Sequence, residues 1–240
     1  MLENIDKLNW AELKHAYGTC EAFPKIVRKL AHPDKGVRSG ALSYISENLF
    51  HQGTHYDVNE FALPFLLEVA ASPQVPDRVP LYRLLQAMLG SESIPRSPRQ
   101  RKEYQAYLRR AYPWMFDKRG WKKKDSDSGH WEALLEKSSA ASWKCRELLI
   151  EVIRSAQAAG VRAEAVRLLA EMARSSLGKP WAKPNEAAKV VALFRRQAGA
   201  DPDMAVRASC ALALGLLRDE PTAVVAVAAV FAKVKADTVR

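Results

Sequence analysis

Between Arg96 and Lys124 the sequence sets eleven basic residues against two acids, Glu103 and Asp117, and interleaves them with Tyr104, Tyr107, Tyr112, Trp114, Phe116 and Trp121. Cations of this kind neutralise phosphates or carboxylates, while flat rings stack on unpaired bases or anchor a protein partner. Arg99, Arg101, Lys102, Arg109, Arg110, Trp114, Trp121, Lys122, Lys123 and Lys124 are the candidate partner-binding residues. The stretch holds +9 of the formal +10 charge, and the remaining 26 bases and 25 acids nearly cancel. Attraction of an acidic partner is therefore focused on one region. The plainer reading is that the rings anchor the segment to the core and the charges are solvated.

Other constellations carry less chemistry. His51, His55 and Asp57 have a spacing that brings two imidazoles near one metal, but no third ligand is evident. Loop roles account for them: Asp57 as a helix cap with Glu60, and Gly53 as a left-handed helix end. His15 lies on a short helix, His32 at a helix end, and His130 beside Trp131 at a helix start. Cys20, Cys145 and Cys210 are odd in number and far apart, without zinc or redox spacing, so reduced thiols are expected. Phosphate-loop, dinucleotide, nucleophile-elbow, HExxH and kinase patterns are missing, so the expectation is a protein that binds rather than catalyses, without cofactor or metal. The longest apolar run, Ala223 to Val234, is shorter than the roughly 20 residues a membrane span needs. With no basic segment leading into an apolar run at the start, the chain is expected to be cytoplasmic.

The elements that must position these residues are helices. Asn9 can cap a helix through Tyr17 closed by Gly18, and Pro24 opens another that ends at His32-Pro33. Asp34 caps a helix from about Val37 to Phe50, Asp57 one through Ala71, and Asp77 one with a Leu81, Leu84, Leu85, Met88, Leu89 stripe ending at Gly90. Ser97-Pro98 starts a basic helix that Pro113 ends, and Trp114 to Gly129 reads as a long loop. Beyond it, Trp131, Leu134 and Leu135 resume helical spacing, Ser142 can cap a helix ending near Gly160, and further helices follow Val161, Asn185, Asp203 and Pro221. No strand is expected. The reading is ten or eleven helices in about five hairpins: residues 1–95, a basic insert over 96–130, and residues 131–240, forming one continuous array.

One phrase recurs. Asp203, Val206, Arg207 and Cys210 repeat the pattern of Asp34, Val37, Arg38 and Ala41, with a weaker echo at Val161, Arg162, Ala165 and Val166. An Asp, a Val-Arg pair and a small residue four after the Val, set in helical hairpins, resembles the HEAT-repeat family and its lyase-type HEAT-like relatives. The WAELKHAYG and FHQGTHYDVNEFALPFLLEVA stretches are similar to bacterial HEAT-like proteins found in toxin and immunity settings. The resemblance covers about the first 90 residues and the last 40, and implies an all-α solenoid whose concave face binds macromolecules. It implies most concretely an immunity-type protein that covers the active site of a partner toxin. The alternative it leaves open is a nucleic-acid binder using Arg96 to Lys124. Within that alternative lies a DNA glycosylase, since the alkylpurine glycosylases of this fold combine basic and aromatic residues with one acid, here Asp117 among Trp114, Phe116 and Trp121.

Overall fold

The computed structural model describes residues 2–51, 54–90, 128–155 and 157–217. These form an all-α structure of nine helices, with one short hairpin near the start. The helices are α1 Phe23–Lys29, α2 Lys35–Leu49, α3 Val58–Ala71, α4 Val79–Leu89, α5 Ser128–Lys144, α6 Arg146–Arg154, α7 Ala159–Ser176, α8 Pro184–Ala200 and α9 Met204–Leu216. Among the described residues no helix is long and apolar enough to cross a membrane. The expected helices after Ser97 and Pro221 lie outside the described residues, as does the loop from Trp114 as far as Asp127.

The repeated phrase does what its chemistry requires. Asp34 has an extended backbone and accepts from the Val37 N–H at 2.9 Å, and Asp203 accepts from Ala205 at 2.8 Å and Val206 at 3.4 Å. The Val and the small residue after it face inward: Ala41, Val161, Ala165, Val206 and Cys210 are buried, and Val37 is half-buried. The Leu stripe of α4 is buried as spaced, with Leu84 at its edge.

Four local expectations are corrected. Asn9 to Tyr17 is not a helix: Ile5–Lys7 is a 3-10 turn, and β1 Lys14–His15 pairs antiparallel with β2 Gly18–Thr19. Gly18 makes this turn with φ +145°, a region other residues rarely adopt, and the Ala16 N–H is satisfied by the Asn48 carbonyl at 3.0 Å. Asp57 precedes α3 in a helical conformation and makes no side-chain cap. Asp77 does not cap α4; it takes φ +57° and turns its carboxylate toward Arg38 at 3.6 Å. Ser142 starts no helix, because its fully buried hydroxyl donates to the Ser138 carbonyl within α5 at 2.8 Å; the break falls at Cys145 instead.

Packing orders the helices in two rows. Along one, α2 meets α4, α4 meets α7 and α7 meets α9; along the other, α1 meets α3 and α3 meets both α5 and α6. Short turns join α1 to α2, α3 to α4, α6 to α7 and α8 to α9, and each of these pairs is in contact. The buried side chains form one continuous cluster from Leu2 to Leu217, so the helices on either side of residues 91–127 share a core.

An arginine at each turn fastens it to the next. Arg38 donates to the His32 and Pro33 carbonyls at 2.8 and 2.7 Å and faces Asp77 of the following turn. Arg78 donates to the Ala70 and Ala71 carbonyls at 3.2 and 3.1 Å and to the Gln157 side chain. Arg162 donates to the Gln157 carbonyl and to Asp201, each at 2.8 Å. The outer two links span 39 residues and the middle one 79. The additional 40 residues nearly match the length of 91–127, so the ladder keeps its step across that stretch.

Candidate binding surface

All ten residues proposed from the sequence as partner contacts, Arg99, Arg101, Lys102, Arg109, Arg110, Trp114, Trp121 and Lys122 to Lys124, lie outside the described residues. What the structure fixes is where their segment is attached. The chain departs at Gly90, the C-cap of α4, and returns at Ser128, the first residue of α5. Gly90 is confined there: a Cβ would fall 2.4 Å from the Gln86 carbonyl oxygen and 3.5 Å from the Glu171 carboxyl carbon of α7. His55 adjoins the same end, hydrogen-bonded to the Met88 backbone.

That end also carries the N-terminal histidines and tyrosines. The Tyr17 hydroxyl is 3.0 Å from His51 Nδ1, and the Tyr17 N–H donates to His15 Nδ1 at 3.1 Å. His15 Nε2 lies 3.3 Å from the Tyr44 hydroxyl. Burial lowers the His15 pKa, so the ring is neutral and serves as a hydrogen-bonding strut between the hairpin and α2. His55 is 2% exposed; its Nδ1 is 3.2 Å from the Asn59 amide nitrogen, which also donates to the Leu49 carbonyl at 3.0 Å. Desolvation pushes its pKa down to about 4. His51 and His55 thus point to different partners, and among the described residues no group of three His, Cys, Asp or Glu could hold a metal ion.

Sequence reasoning missed a second constellation, on the row of α2, α4, α7 and α9. Glu164 of α7 is 4% exposed, yet three side chains converge on its carboxylate. Arg83 Nε and Arg167 donate to one oxygen, Oε1, at 3.3 and 3.1 Å, and the Gln86 amide donates to Oε2 at 2.9 Å. Gln86 reaches the Glu164 carbonyl as well, at 3.1 Å. Glu164 is therefore satisfied, while the two arginines remain open: their side chains are 69% and 47% exposed. Arg83 NH1 and NH2, and Arg167 Nε and NH2, have no protein partner among the described residues. The arrangement is a pair of guanidinium forks tied to one buried oxygen and facing solvent.

The thiols are inert by position. Cys20 and Cys210 are fully buried and desolvation raises both pKa values to about 12. Cys145 at the α5–α6 junction is shifted upward for the same reason, and all three are unpaired. Beside Cys145, Arg146 lies over the Trp143 ring at 5.2 Å and pairs with Glu186 of α8 at 2.6 Å. The Trp143 indole also donates to Glu186, at 3.0 Å, and this contact leads in holding the Glu186 carboxyl below its ordinary range. These groups brace α5 and α6 against α8. Comparison of the sequence with family models and with curated proteins gives no match in either case, so the geometry carries the functional reading.

Proposed function

We propose that the chain is a HEAT-like α-solenoid acting as a binding module, most concretely an immunity-type protein that covers the active site of a partner toxin. The observation that supports this reading is the arginine ladder. Turns of successive hairpins are tied by Arg38 to Asp77, Arg78 to Gln157 and Arg162 to Asp201. A stack stiffened in this way presents a preformed row of helices, and a preformed surface loses little entropy on binding. In this reading Arg99, Arg101, Lys102, Arg109, Arg110, Trp114, Trp121 and Lys122 to Lys124 are further contacts, suited by charge to an acidic partner.

The test is co-expression with the product of the neighbouring gene. Relief of that product's toxicity, with a stable complex on purification, is the expected result; toxicity that persists at full expression rejects the reading. The +9 charge between Arg96 and Lys124 favours one rival, a nucleic-acid binder. Its signature is a steep fall of duplex affinity with salt, and no binding at low salt eliminates it.

A further inference from the structure

We propose that Arg83 and Arg167 form a carboxylate clamp that receives an acidic side chain of the protein partner, with Glu164 as its positioning residue. The inference rests on the binding-module reading and names a contact point within it. Exposed arginines normally sweep many rotamers, and fixing one costs side-chain entropy. Here that ordering is supplied by folding, since both guanidinium groups bond the same oxygen of a carboxylate that is 5% exposed. Each keeps donors that no described residue takes, and a guanidinium fork matches the two oxygens of a carboxylate.

The surroundings favour a protein acid over nucleic acid. Glu164 cancels one of the two positive charges, so the site is a local +1. The exposed side chains along the neighbouring α2 and on α4 are mixed or neutral: Lys35, Ser39, Ser43 and Glu47, with Ala87 one turn beyond Arg83. A strand of phosphates is bound by a row of cations, and these helices offer none. One acidic side chain needs only the pair.

The probe is a hexaglutamate peptide added to the full chain at constant ionic strength, followed through the Arg side-chain Nε–H resonances. Saturable shifts at Arg83 and Arg167 are expected, with affinity falling on the order of tenfold in each of Arg83→Gln and Arg167→Gln. Lys25→Gln, an equal charge change on exposed α1, should leave affinity unchanged. Equal weakening by Lys25→Gln, or absence of shifts at the two arginines, overturns the clamp. So does a single-stranded oligonucleotide that shifts both resonances while the peptide does not. Thermal melts confirm that each variant is folded. Rescue from the partner toxin separates the two levels: full rescue by the Arg83→Gln/Arg167→Gln variant removes the clamp and leaves the immunity reading intact. Failure of the unmodified chain to rescue removes that reading, whatever the peptide does.

Discussion

Asp77 and Asp201 occupy the same place in the ladder, 39 residues beyond their arginines, yet their removal should differ severalfold in cost. Asp201 is 5% exposed and its partner Arg162 is 11% exposed at 2.8 Å. Asp201→Ala leaves a guanidinium in the interior with only the Gln157 carbonyl, and also strips the Asp203 N–H of its acceptor at 2.9 Å. Removing one member of a buried pair costs about 3–5 kcal/mol. Asp77 is 56% exposed and 3.6 Å from Arg38, which retains two carbonyl acceptors, so Asp77→Ala should cost less than about 1 kcal/mol. Urea unfolding followed by circular dichroism reads both differences. In melting temperature they correspond to about 10 °C against under about 4 °C. Replacing the pair together, Arg162→Met with Asp201→Leu, should recover most of the loss by leaving no buried charge. Equal costs for the two alanines, or a double variant no better than Asp201→Ala alone, would mean that burial of the pair does not set its strength.

Acid should weaken the fold before the carboxylates titrate. His55 has a folded pKa of about 4 against an ordinary 6.5, so the unfolded chain binds the extra proton first. Stability is intact above pH 6.5 and falls as pH drops toward 4, by about 3 kcal/mol over the window, while His55→Gln should flatten that slope in urea titrations at stepped pH. Tyr82 is fully buried and its hydroxyl has no partner among the described residues, so Tyr82→Phe should be neutral or stabilising by up to about 1 kcal/mol. A loss above that range would mean the hydroxyl is satisfied. Cys20 and Cys210 should resist iodoacetamide at pH 8 in the folded chain and react in urea, as mass spectrometry will resolve.

Local chemistry was legible in the sequence and distant chemistry was not. Asp34 and Asp203 cap the helices they precede because everything a cap requires lies within three residues. Asp57, Asp77 and Ser142 look equivalent in the sequence, but none of the three caps its helix. Asp77 is taken by an arginine on another hairpin, and the Ser142 hydroxyl bonds its own helix once α5 runs through it. The hairpin at Lys14–Thr19 has strands of two residues, too short for any alternation to register, and Gly18 was its one signal. Glu164 reads as an ordinary helical charge. It becomes an anchor only because α4 packs on α7 and delivers Arg83 and Gln86 from 81 and 78 residues away. The recurring Val-Arg was the available hint that arginines here have assigned partners, although among the described residues Arg207 donates only to the Met204 sulfur, at 3.7 Å.

The two ends of the helical stack are under different constraints. Turns at the ladder end carry arginines that donate to carbonyls and to the next turn, so a change of length there breaks a link between turns. The opposite end carries the connections at 50–57, 90–128 and 177–183, which differ widely in length. Loop-closure entropy grows only logarithmically, so a connection several times longer than its neighbours adds about 1–2 kcal/mol. That asymmetry explains how 37 residues separate two helices that share a core without disturbing the 39-residue step on either side. The arginines of the ladder, each half-buried or buried, are held by backbone carbonyls and by Asp77, Gln157 and Asp201 of the following turns. Arg83 and Arg167 differ from the ladder arginines: each is fixed by a buried carboxylate, yet their side chains are 69% and 47% exposed, and that combination singles them out as a contact point.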